Sequence, residues 1–283
     1  MRSVFFLLLF TIASYSVFAQ PYVDILNIRT LQSPDAGLIR RKNDKNHFQY
    51  YNASLTLPIQ FKKSGLIVVV SPFVENWQIK LPVKTDYYFP TGVGLPISFL
   101  VPIRKTKWLI NGTFIIRNNA EKMNLPEAWQ KGGLVLANYK VNSRLTVKAG
   151  LYYNREAFGN FFMPLAGLEY KIDSSLQMWG TLPGSFIIEK KLKPRWYAGL
   201  SFKAVTNSYQ LFNRKFIQIN DNQLSLFSDF YLGKNVVFNA EAGHSILRRI
   251  RLGNTGDGKN YSYSKKNNDN YLFRLSVAYR IRR

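Results

Sequence analysis

The clearest regularity in the chain is alternation. Tyr51, Ala53, Leu55, Leu57, Ile59 and Phe61 alternate with Tyr50, Asn52, Ser54, Thr56, Pro58 and Gln60. The same period of two runs through residues 145–153, 196–204, 236–242 and 271–281. Side chains on a strand project to opposite faces in turn, so each segment has one apolar and one largely polar face. Many of these segments are about ten residues long, whereas a globular strand averages about five or six. A strand tilted across a bilayer needs about 9–11. The pattern predicts an all-β fold, an antiparallel transmembrane β-barrel.

The connections add a second argument. Spanning barrels alternate short inner turns with longer outer loops. Short polar turns are predicted at 62–65, 104–107, 142–143, 173–174, 192–194 and 233–235. Longer connections, rich in Asn, Lys and Gly, are predicted at 31–46, 76–87, 118–132, 154–160, 206–222 and 247–269. One outer connection must be tight, at Leu182-Pro183-Gly184-Ser185. The count is fourteen strands, or twelve if residues 175–192 form one bent strand. Fourteen preserves the turn–loop parity and puts both termini in the periplasm. Residues 120–131, with Pro126, Glu127 and Trp129, suit a short loop helix. In lipid every backbone N–H and C=O must be paired, and only a closed sheet has no edge.

The N-terminus explains how such a chain reaches an outer membrane. Arg2, the apolar run at 4–13 and Val17-Phe18-Ala19 match a secretory signal peptide cleaved after Ala19. Residues 20–283 then form a single domain. There is no cysteine, so no disulfide framework holds it. Aromatics make up 15% of residues at a mean hydropathy of only −0.16, which suits aromatic girdles outside and polar groups inside. A secreted β-sandwich shares that composition; strand length favours the barrel.

Net charge is +23, or +22 without Arg2. Nucleic acid is the usual partner of so basic a chain, and export removes it. The expected partners are outer-membrane lipids and lipopolysaccharide, the barrel-assembly machinery during insertion, and anionic solutes.

Gln20-Pro21-Tyr22-Val23-Asp24-Ile25-Leu26-Asn27-Ile28-Arg29, the amphipathic strands and the final Leu275-Ser276-Val277-Ala278-Tyr279-Arg280 carry a resemblance. The mature chain resembles a bacterial family of outer-membrane β-barrels known only as a domain of unknown function. The resemblance implies barrel and outer membrane; it brings no catalytic residue, ligand or cofactor. The final strand departs from the common barrel ending by closing on Arg282-Arg283 rather than an aromatic.

Catalytic chemistry has few candidates. His47 and His244 are the two histidines, and His244-Ser245 would lie on opposite faces of a strand, a poor nucleophile–base pair. Gly256-Asp257-Gly258 is too short for a calcium loop. Gly92-Val93-Gly94 reads as close packing within a sheet. No cofactor, metal or catalytic residue is expected. Charge is more informative: Lys148, Glu169, Lys171, Lys203, Asp229, Glu241, Arg274 and Arg280 fall on lumen-facing positions. They read as a salt-bridged interior or, since basic groups outnumber acidic ones, as an anion-attracting pore. A second basic set, including Arg40-Arg41-Lys42, Arg248-Arg249, Arg251, Lys259, Lys265 and Lys266, is placed in outer loops. Tyr50, Tyr51, Trp77, Tyr87, Tyr88, Trp108, Tyr152, Tyr153, Trp179 and Trp196 read as interfacial girdles. The expected function is a passive pore or a structural envelope protein. An outer-membrane lipid hydrolase and a soluble exported glycan-binding protein are the alternatives.

Overall fold

A computed structural model describes residues 21–33, 48–81, 87–122, 125–257, 260–266 and 270–282. Residues 1–19, His47, Arg40-Arg41-Lys42, Lys259 and the side chains of Lys265 and Lys266 lie outside it. The described chain forms one antiparallel sheet of eighteen hydrogen-bonded segments. Four strands consist of two segments each, so the sheet has fourteen strands.

In order they are β1 (Tyr22–Ser33), β2 (Phe48–Leu55 and Leu57–Gln60), β3 (Ile67–Val70 and Phe73–Lys80) and β4 (Tyr87–Tyr88 and Thr91–Pro102). Then come β5 (Trp108–Ala120), β6 (Trp129–Lys140), β7 (Leu145–Glu156), β8 (Gly159–Lys171), β9 (Leu176–Leu182) and β10 (Ser185–Lys193). β11 (Trp196–Gln210), β12 (Lys215–Leu232), β13 (Val236–Asn254) and β14 (Tyr261–Lys266 and Tyr271–Arg282) complete the set. Each strand pairs with its neighbours in sequence, and β1 closes on β14 from Tyr22↔Arg282 to Gln32↔Phe273. The interruptions in β3 and β4 fall at Pro72 and Pro90, which have no N–H for the ladder. Their carbonyls still accept, from Leu55 N at 3.0 Å and Trp77 N at 2.9 Å.

The outer surface is apolar. In β14, Tyr271, Phe273, Leu275, Val277 and Tyr279 are exposed, while Leu272, Arg274, Ala278 and Arg280 are buried. Phe162 at 69%, Leu226 at 65%, Leu151 at 63% and Leu275 at 60% exposure lie on the same outward face. Water would penalise such a belt, whereas a bilayer solvates it. The protein is an outer-membrane β-barrel, and the belt removes the soluble glycan-binding alternative.

Among the described residues, the β7–β8, β11–β12 and β13–β14 connections are shorter than the sequence suggests. β12 has 18 residues and β13 has 19, well beyond the length needed to span. Their upper halves take in Asn-rich and charged stretches such as Gln218–Asn222, assigned above to loops. Beyond the membrane a hairpin needs no apolar outer face, so the period-two signal fades there while the backbone ladder continues. The connection between β7 and β8 is likewise tight, from Glu156 to Gly159. Between β5 and β6, Pro126–Ala128 form a single 3-10 turn where a short helix was expected.

The girdle reading divides by parity. Tyr51, Tyr87, Trp108 and Trp196 are exposed, as a girdle requires. Trp77 and Trp179 are instead buried inside the barrel, and Tyr50 packs with Trp77 against the same interior cluster.

Candidate functional site: the lumen and its outer closure

The upper parts of β11, β12 and β13 form a flap over the outer mouth. Phe216, Ile217, Gln218 and Ile219 are all buried, so both faces of this stretch are covered. One face, with Tyr209, Leu211, Ile217, Ile219, Ile250 and Leu252, packs on Leu31, Phe48, Trp77, Ile79, Leu81 and Leu272 of β1–β3 and β14. Through Phe216, the other face meets Ala157 and Phe158, with Phe161 of β8 and Tyr261 packed alongside.

The flap lies there because its edge is unpaired. The β9–β10 hairpin turns tightly after Leu182, and the last β10–β11 backbone contact is Ala204 N to Gly184 O at 2.8 Å. Above it the edge of β11 has no β10 to pair with, and an open edge must be covered. β5 covers it from across the mouth. Ala120 and Gln210 form a parallel bridge, and Glu121 N donates to Gln210 O at 2.9 Å. Asn119 Nδ2 and Gln130 Nε2 donate to Ser208 O at 3.1 and 2.9 Å.

Beneath this edge sits a buried ion pair. Arg117 of β5 pairs with Glu156 of β7, and its Nε and Nη1 donate to Gln130 Oε1 at 2.8 Å and Asn207 Oδ1 at 3.0 Å. Ser208 donates to Glu156 Oε2 twice, from Oγ at 2.6 Å and from N at 3.1 Å. Gly92 and Gly94 make room for the cluster. A Cβ on Gly92 would meet Asn119 Oδ1 at 2.8 Å and Glu75 at 3.0 Å, and one on Gly94 would strike the Phe73 ring at 2.4 Å.

A β-bulge shapes the other side of the flap. Asn220 pairs with Arg249 but Asn222 pairs with Ile246, so β13 carries an extra residue. Leu247 takes it up at φ 57°. The extra residue switches the parity of β13 and turns Arg248 inward. Arg248 bonds Asp221 at 3.1 and 3.2 Å and Ser33 Oγ at 2.9 Å, with its guanidinium 4.0 Å from the Phe48 ring centre. Its assignment to a basic surface loop is therefore corrected; Arg249, one residue on, is exposed.

Below the flap, the charged residues assigned to the lumen fall into separate groups. Lys203 bonds Glu241 at 3.0 Å, Arg274 pairs with the same carboxylate, and Ser201 Oγ donates to it at 3.1 Å. Arg280 bridges Asp24 and Asp229, both at 2.5 Å. Lys148 pairs with Glu169 across the β7–β8 ladder. Lys171 is exposed near the periplasmic end, beside a cavity of about 390 Å³ also lined by Lys140 and Arg144. A second cavity, of about 350 Å³, lies at Lys148 and Glu169. A third, of about 270 Å³, is bordered by Arg29, Lys203, Arg274 and Arg280.

Several interior groups escaped the sequence reading. Arg282 looked like a chain end, yet it forms a bidentate pair with Glu189, both contacts 2.7 Å, and stacks 3.7 Å from the Tyr197 ring centre. Glu156 and Asp221 lay in stretches read as loops. Extending the alternation beyond the apolar belt would have flagged Gln218; the bulge hides Arg248 from any such count.

No catalytic constellation emerges at His244. Its ring is outward, Nδ1 lies 2.8 Å from Ser245 O, and Tyr271 packs edge-on at 5.4 Å. Ser245 is fully buried on the other face, bonded to Arg248. Among the described residues no group of His and carboxylate side chains is arranged to hold a metal ion.

No protein-family profile and no curated protein sequence matches the chain. Solved structures similar to it include outer-membrane proteins and porins. The NanC porin shares 7% identity over 90% of this chain and 98% of that one, with a TM-score of 0.41. A bacterial polysaccharide outer-membrane secretin shares 8% over 91% and 98%, with a TM-score of 0.40. The translocator domain of autotransporter NalP from Neisseria meningitidis shares 10% over 90% and 88%, with a TM-score of 0.38. At these values the barrel is established by its own closed strand pairing.

Proposed function

We propose that this protein is a gated passive pore for small anionic solutes, held shut at its outer mouth by the β11–β13 flap. The observation that carries this is the nature of the closure. Where β11 crosses to β5 there is one bridge pair and a small set of side-chain hydrogen bonds, not a continuous ladder. Such a contact can release without unravelling the barrel wall. Below it the lumen keeps cavities lined by charged and polar groups. The reading includes export through a signal peptide cleaved after Ala19, insertion by the barrel-assembly machinery, lipopolysaccharide around the outer rim, and membership of the outer-membrane family of unknown function that the chain resembles.

Planar-bilayer recording tests it. The wild type is expected to show rare, brief openings. The double variant Glu156→Gln, Ser208→Ala removes the charge that holds Arg117 and the Ser208 hydroxyl that bonds Glu156, and is expected to stay open far longer, with anions favoured over cations. Absence of conductance in both proteins would leave the structural envelope role in place of the pore.

A further inference from the structure

We propose that Arg29, Lys203 and Arg274 form a binding site within the lumen for one small hydroxylated organic acid. This deepens the pore reading by naming the class of solute. Three strands, β1, β11 and β14, bring these cations to the cavity of about 270 Å³.

Charge in this cavity is divided unevenly. Glu241 is the carboxylate that both Lys203 and Arg274 engage. Toward the periplasm the imbalance reverses, because Arg280 is held between Asp24 and Asp229. Arg29 belongs to neither group. Its side chain has no hydrogen-bond or ion-pair partner among the described residues, and its Nε is sealed from solvent. Its cross-strand neighbours are Asn52 and Ser276, both neutral. A buried donor without an acceptor costs about 1–3 kcal/mol, and a charged one more. An oxyanion in the cavity supplies an acceptor to the part of the guanidinium that lines it, in the paired geometry a guanidinium prefers.

A second unpartnered atom refines the ligand. Asn27 also borders the cavity, and its Oδ1 is buried with no hydrogen bond. Asn27 Nδ2 donates to Asp24 Oδ2 at 3.0 Å, which fixes the amide orientation and leaves Oδ1 as a free acceptor. An acceptor beside an unpaired guanidinium fits a solute with both a carboxylate and a hydroxyl. The cavity of about 270 Å³ has room for a small monomeric acid.

Calorimetric titration of the full-length protein in detergent micelles tests this, with D-glucuronate as the probe, propionate as the acid without hydroxyls and D-glucose as the neutral control. Glucuronate is expected to bind, propionate more weakly, and glucose not at all. Arg29→Gln is expected to weaken glucuronate by about tenfold or more, and Arg29→Lys to restore part of the loss. Equal binding of glucuronate and glucose by the wild type, no binding of glucuronate, or unchanged affinity in a folded Arg29→Gln protein would each overturn the site. The pore reading fails separately. Arg29-dependent binding in a protein whose flap variants never conduct keeps the site and rejects the pore. Anion conductance indifferent to Arg29→Gln does the reverse.

Discussion

The indole N–H of Trp77 donates to the phenol oxygen of Tyr209 at 2.7 Å, joining β3 to β11 across the outer mouth. Tyr209 in turn donates to Glu75 Oε1 at 2.6 Å, and Tyr50 donates to the other carboxylate oxygen at 2.9 Å. The flap is thereby tied to β3, which lies two strands from β5 in the same wall. Tyr209→Phe keeps the ring but removes the acceptor for Trp77 and a donor to Glu75. Flap closure is expected to weaken by about 1–3 kcal/mol. Single-channel recording should show more frequent openings, with the unfolding of the barrel wall little changed. Opening rates equal to the wild type would show that this pair is not part of the closure.

Asp221 and Arg248 anchor the bulged side of the flap. Asp221→Asn preserves size and leaves a buried guanidinium without its counter-charge, a change expected to cost about 3–5 kcal/mol. Denaturant titration of the protein in vesicles reads it. An unchanged midpoint would mean that another group compensates Arg248.

Leu247 sits at φ 57°, in the left-handed region. That region costs an ordinary L-residue roughly 1–2 kcal/mol and is least tolerant of β-branched side chains. Leu247→Ile is expected to lower stability and to disturb the Arg248–Asp221 pair, while Leu247→Gly leaves the pair in place. Comparing the thermal midpoints of the two variants checks the bulge directly; identical midpoints would argue against it.

Leu275 lies on the lipid face near the middle of β14, and its neighbour Arg274 lies inside. Leu275→Arg is expected to destabilise insertion by about 2–4 kcal/mol, the usual cost of a cation at mid-bilayer. Urea-dependent folding into vesicles measures it. A cost near zero would place this residue outside the hydrocarbon.

The β8–β9 turn is organised by Asp173. Its Oδ1 accepts from the backbone N of Ser175 at 2.6 Å, from Leu176 N at 2.8 Å and from Ser175 Oγ at 2.9 Å. These bonds, led by the Ser175 amide, hold its carboxyl below the ordinary value of 3.8. Since the folded value is the lower one, the stabilisation is fully present above the unfolded value and disappears as pH falls through the folded one. Protection of the Ser175 and Leu176 amides, relative to intrinsic exchange at each pH, is expected to fall only in that acid range in the wild type, and to be lost already at neutral pH in Asp173→Ala. Equal exchange in both proteins at neutral pH would remove Asp173 from the turn.

The strand count, the antiparallel order and the short periplasmic turns were legible in the sequence, because lipid imposes a strict rule on one face. Every second residue from Tyr271 to Tyr279 must satisfy hydrocarbon, so the alternation survives in composition. The same parity placed Lys203, Glu241, Arg274, Asp229 and Arg280 inside, although it could not pair them. Pairing depends on how the sheet closes and on which strands face one another through the lumen. Arg280 meets Asp24, 256 residues away in the chain, across the β14–β1 seam, and Arg282 reaches Glu189 of β10, 93 residues away, through the lumen.

The closure of the outer mouth was decided by tertiary structure alone. The sequence locates the tight turn at Leu182–Ser185, but only the closed sheet shows that this short hairpin strips β11 of its neighbour. The bare edge then finds β5 across the barrel, and the flap follows. Above the bilayer neither face of a strand must be apolar, so the rule that made the barrel readable no longer marks the residues that shut it.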